Sequence, residues 1–73
     1  MGYFTTVKTV NKEGLAVKAE VHCGGKFRGF SDDRGELSFE LRSQDSYTVS
    51  ARRQGARATG TIRGGQVMIL RLV

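Results

Sequence analysis

The stretch Ser31–Leu41, with Tyr47–Ala51 a few residues later, constrains this chain most. Leu37, Phe39 and Leu41 alternate with Glu36, Ser38 and Glu40. Period 2 is the signature of a strand with one face buried and the other wet. The zigzag recurs. Val17, Ala19, Val21 and Cys23 alternate with Lys18, Glu20 and His22, and Tyr47, Val49 and Ala51 point one way. Ala56, Ala58, Gly60 and Ile62 alternate with Arg57, Thr59, Thr61 and Arg63. Residues 3–10 are rich in Tyr, Phe, Thr and Val, which favour pleated backbone. Residues 26–31 predict a short strand around Phe27 and Phe30. Residues 66–73 are almost all apolar and predict a strand covered on both sides. No segment carries a capped 3.6-residue period. The expectation is an all-β fold over 1–73, an antiparallel sandwich of about seven strands with little or no helix; a small barrel is the alternative.

Glycine supplies the punctuation, and proline is absent. Gly24-Gly25 and Gly64-Gly65 each separate two predicted strands and read as two-residue hairpins, whose favoured turns need positive φ. Asp33-Arg34-Gly35 predicts a slightly longer hairpin, with Gly35 left-handed and Asp33 bonding the backbone of its own loop. Gly14 and Gly55 mark two further reversals.

Size and charge bound the function. A chain of 73 residues buries only about 60% of its unfolded surface. It has little room for an enclosed ligand cavity of about 300 Å³ or more, so no small-molecule substrate and no cofactor are expected. The one cysteine, Cys23, excludes an internal disulfide framework. No apolar run is long enough to span a bilayer, and no basic-then-apolar leader opens the chain; no membrane insertion is expected, and the compartment is left open. All seven acidic residues fall in residues 1–45, which hold seven basic residues as well. The net charge of +5 therefore sits in Arg52, Arg53, Arg57, Arg63 and Arg71. That asymmetry fits an anionic partner or a solvated face that keeps a small domain soluble.

The order of motifs resembles the carboxypeptidase-regulatory-like domains. Gly14-Leu15-Ala16-Val17-Lys18-Ala19-Glu20-Val21 is similar to their glycine followed by a V-x-A-x-V strand. Ser31-Asp32-Asp33-Arg34-Gly35-Glu36-Leu37-Ser38-Phe39 resembles their T-D-x-x-G-x-F-x-F segment. Tyr47-Thr48-Val49-Ser50-Ala51 with Gly55 resembles Y-x-V-x-A…G-Y, and Val67–Leu72 resembles the last core strand. The likeness runs over residues 10–73. It implies a prealbumin-like (transthyretin-like) sandwich and a non-catalytic accessory role in a cell-surface, phage or secretion-type assembly. Two positions depart from the pattern. Ser43–Ser46 replaces a Pro-x-Gly loop, and Ala56 stands where an aromatic follows the glycine. The Lys–Asn isopeptide bond of related pilin domains is not expected, because the only asparagine, Asn11, lies near the start.

No nucleophile–base constellation is legible, so no catalytic residue is assigned and no enzyme activity is expected. His22 and Cys23 are neighbours on a strand and face opposite sides, which defeats shared metal ligation. Asp32, Asp33 and Glu36 fit turn chemistry better than a calcium loop. The candidate anion- or partner-binding residues are Arg52, Arg57 and Arg63, which align on one polar face if their strands pair. Stacking on nucleic acid also needs exposed aromatics. Phe27 and Phe30 are three apart, which on a regular strand sends at most one outward. The first expectation is a structural or protein-interaction module that docks a partner or itself through strand edges, with Tyr3–Val10 and Gln66–Val73 as the candidate edges. The second is a basic OB- or SH3-like barrel that binds nucleic acid or another polyanion through the arginines.

Overall fold

The computed structural model describes residues 2–73. Seven strands run β1 (Tyr3–Val10), β2 (Glu20–Cys23), β3 (Lys26–Phe30), β4 (Glu36–Leu41), β5 (Ser46–Arg53), β6 (Ala56–Arg63) and β7 (Val67–Arg71). They form two sheets, one of three strands in the order β4-β1-β7 and one of four in the order β3-β2-β5-β6. The described residues contain no helix, and the sheets do not close into a barrel. The all-β sandwich expectation holds and the barrel alternative does not.

The strand pairing corrects three details. β1 pairs with β4 on one side and with β7 on the other, so Tyr3–Val10 is an interior strand and offers no free edge. The β1–β7 pairing is parallel, so the sandwich is not purely antiparallel. β7 is an edge strand, and Val67 (72% exposed) and Ile69 (63%) face solvent. Its run of apolar residues therefore did not signal cover on both faces.

The two Gly-Gly pairs behave differently. Gly24 and Gly25 both take positive φ (63° and 79°) and join β2 to β3 as a hairpin within one sheet. Positive φ at both central residues matches the right-handed twist of paired strands. In the second pair only Gly65 is positive (91°), and Gln66 N–H donates to Arg63 O at 3.1 Å. That is a type II pattern, which splays the strands. β6 and β7 accordingly lie in different sheets. The expected hairpin at Asp33–Gly35 is likewise a crossing between layers, from β3 to β4. Gly35 is left-handed there (φ 75°). Asp32, not Asp33, organises the loop, accepting from Arg34 N–H and Glu36 N–H at 2.9 Å each.

The core between the sheets holds Val7, Ala19, Val21, Cys23, Phe39, Leu41, Val49, Ala51, Ile62, Leu70 and Leu72. Most are small, and Phe39 is the one fully packed aromatic, with the Arg28 guanidinium 5.4 Å from its ring centroid. Three polar side chains, Thr5, Thr9 and Ser31, are buried with them. At one corner the layers are stitched together, because Val73 and Arg57 exchange backbone hydrogen bonds of 3.1 and 3.3 Å.

Candidate functional site

The candidate arginines lie on the outer face of the four-stranded sheet. β5 and β6 pair in register with Arg52 opposite Arg57 and Ser46 opposite Arg63. The face is shared as expected, but the three guanidiniums do not form one cluster. Arg63 is six residues from Arg57 along β6, about 20 Å at strand rise. Arg52 and Arg57 stand together at one end and Arg63 at the other.

The residues across from Arg52 were not foreseen as part of a site. Glu20 lies opposite Arg52, and His22 opposite Ser50. Glu20 Oε2 accepts from His22 Nε2 at 2.6 Å and pairs with Arg52 at 3.3 Å. The histidine hydrogen bond, with help from Arg52, holds the Glu20 carboxyl below its ordinary range against the opposing effect of partial burial. Among the described residues, Arg57 has no carboxylate partner.

Phe27 and Phe30 both point outward, 54% and 65% exposed, contrary to the period-2 expectation. The cause is a bulge. Phe30 sits opposite Glu20, Gly29 opposite Val21 and Phe27 opposite His22, so Arg28 is an extra residue. One inserted residue returns position 27 to the face of position 30. Arg28 turns toward the interior, where its Nε donates to Cys23 O at 3.1 Å. The sequence did hold a signal for this, since an isolated glycine within a predicted strand, Gly29, marks a bulge. The outward rings pack edge to face. Phe27 lies 5.5 Å from His22 and 5.5 Å from Phe30, centroid to centroid.

The face thus carries two ranks across its four strands, Phe30–Glu20–Arg52–Arg57 and Phe27–His22–Ser50–Thr59. Two open depressions meet at Glu20 and Arg52. One, about 310 Å³, lies among His22, Ser50, Arg57 and Thr59; the other, about 510 Å³, lies among Phe30, Arg53, Lys18 and Gln54. Arg53 is the last residue of β5 and donates to Lys18 O at 3.0 Å.

Other sequence candidates are dispersed. Cys23 is fully buried, and burial pushes its thiol pKa up, while His22 faces outward. Asp33 is exposed and pairs with Lys18 at 3.1 Å. Asn11 Oδ1 accepts from the backbone N–H groups of Glu13 and Leu15 at 3.0 Å each, which folds the loop after β1. No helix of the described structure is long and apolar enough to cross a membrane. No protein-family model matches the chain, and no curated protein matches it.

Proposed function

We propose that this chain is a non-catalytic interaction module of the prealbumin-like accessory kind that its motifs resemble. Its working surface is the outer face of the four-stranded sheet, and its partner there is anionic. One observation carries the reading. Arg52 and Arg57 sit directly opposite each other on an open face beside two exposed phenylalanines. Arginine and aromatic residues, phenylalanine among them, are enriched at interface cores, and a guanidinium fork suits carboxylate and phosphate equally.

Retention on immobilised heparin tests it. The Arg52→Gln/Arg57→Gln double variant elutes at clearly lower salt than a control of equal net charge, Lys12→Gln/Arg34→Gln. Equal shifts for the two variants would reduce the effect to bulk charge and end the assignment of this face.

Self-association through β7 is a second reading. It is supported by that strand's position at a sheet edge and by exposed Val67 and Ile69, because unpaired edges template strand addition. Light scattering after size exclusion decides it: a strict monomer at high concentration removes this reading.

A further inference from the structure

We infer that the anion bound by this face is single-stranded nucleic acid, with Phe27 and Phe30 stacking on bases and Arg52 and Arg57 holding phosphates. The inference rests on the anion-binding reading and names its ligand. Two observations favour nucleic acid over an acidic protein segment, and a third favours a single strand over a duplex.

The first is the pairing of ring and charge within one rank. Phe30 and Arg57 end the same rank, three strand spacings apart, or about 14 Å. A ligand that satisfies both ends must offer a flat π surface and an anion in repeating alternation, as a nucleotide chain does and a run of carboxylates does not. Sequence-tolerant binders of single strands combine these two elements.

The second is the bulge. The backbone departs from regular pairing at Arg28, and Gly29 takes φ 135° there. The result is two large rings in water, each more than half exposed. Hydroxyls line the rest of the face, with Ser50 opposite Thr59 and Thr48 opposite Thr61. Such side chains donate to phosphate and sugar oxygens.

The third is shape. The face is a sheet with open depressions, and no described helix is available to enter a major groove. A duplex hides its base faces, whereas a single strand presents them.

Glu20 opposes phosphate on this face and occupies Arg52. Its neutralisation therefore strengthens binding, an effect that a merely structural Glu20 would not produce.

Fluorescence anisotropy tests the inference with three probes: labelled oligothymidylate, an abasic oligomer of the same length, and polyglutamate. Oligothymidylate binds tightest. Phe27→Ala and Phe30→Ala each weaken it about tenfold and leave the salt dependence unchanged. Arg52→Gln and Arg57→Gln each flatten the slope of log K against log salt by about 0.7. Glu20→Gln tightens binding. Both phenylalanines are more than half exposed, so their variants keep a cooperative thermal transition with only the small loss expected from their edge-to-face contacts, which serves as the folding control. If the abasic oligomer binds as well as oligothymidylate, or the phenylalanine variants bind like wild type, stacking is refuted while the anion reading stands. If polyglutamate binds as tightly as oligothymidylate, the partner is an acidic protein. If no probe binds at about 50 mM salt, both readings fall.

Discussion

The hydroxyls of Thr9 and Ser31 meet at 2.7 Å inside the core. Thr9 lies on β1 of the three-stranded sheet, and Ser31 follows β3 of the four-stranded one. The assignment that uses the shortest contacts satisfies both. Thr9 donates to Val17 O at 2.7 Å and accepts from Ser31, while Ser31 accepts from Ala19 N–H at 2.8 Å. Two short side chains thereby fix the segment between β1 and β2 where the chain passes between layers.

Removing Ser31 strands the buried Ala19 N–H. Ser31→Ala is expected to cost about 2 kcal/mol, the penalty of an unsatisfied buried donor. Thr9→Val, which keeps the shape, is expected to cost about 1–2 kcal/mol. Urea denaturation measures both; a loss below about 0.5 kcal/mol for Ser31→Ala, at the low end for one hydrogen bond, would show that the network does not hold the layers.

Gly35 and Gly25 separate backbone strain from steric contact. Both are left-handed (φ 75° and 79°), but a Cβ on Gly35 would collide with Thr9 O, whereas one on Gly25 would meet nothing within 4 Å. Gly25→Ala is expected to cost about 1–2 kcal/mol from conformation alone. Gly35→Ala carries that cost and about 1–3 kcal/mol more, as the backbone must shift. Equal thermal destabilisation of the two would refute the contact.

Gln54 is the only non-glycine described with positive φ (54°), in the turn between β5 and β6. Gln54→Gly is expected to stabilise the fold by about 0.5–1 kcal/mol. This is the relief of left-handed strain less glycine's extra freedom in the unfolded chain. The melting temperature rises; a fall would place a hidden contact at the Gln54 side chain.

Acid and alkali act through named groups. Asp32 is held below its ordinary pKa chiefly by the Glu36 N–H, with help from Arg34 N–H, and Glu20 by His22 and then Arg52. A depressed carboxyl contributes stability above its unfolded pKa, and that stability is lost as pH falls through the folded value. The melting temperature therefore drops below about pH 4, near the free carboxyl values. Asp32→Asn, which keeps an acceptor oxygen for the turn, shallows that drop. Cys23 works in the other direction. Its raised pKa gives stability that is complete below the unfolded thiol value and is lost as pH rises above about 8.5. Cys23→Ser tested between neutral and alkaline pH removes this limb; an unchanged slope would assign it elsewhere.

Legibility in the sequence followed the range of the cause. The inward residues Val21, Cys23, Phe39, Leu41, Val49, Ala51 and Ile62 were readable because side chains alternate along any strand. All of them are buried. The outward placement of Arg52, Arg57 and Arg63 was readable for the same reason. The pairing of Phe27 with Phe30 was misread, because one extra residue inverts the phase and the partner strand is what reveals it.

The amino-acid order by itself determined where the strands and reversals fall and the wet and dry faces of β2, β4, β5 and β6, since these depend on local period and on φ preferences. Only the tertiary structure decided which strands share a sheet. Gly24-Gly25 and Gly64-Gly65 are identical dipeptides, yet one closes a hairpin and the other crosses between layers. The first glycines of the two pairs meet different distant segments: a Cβ on Gly64 would collide with Ser43 O, whereas one on Gly24 would meet only the Tyr47 and Arg28 side chains, at 3.2 Å and beyond. Contacts between segments so far apart in the chain also made β1 an interior strand, buried Thr9 against Ser31, and set Arg52 across from Arg57.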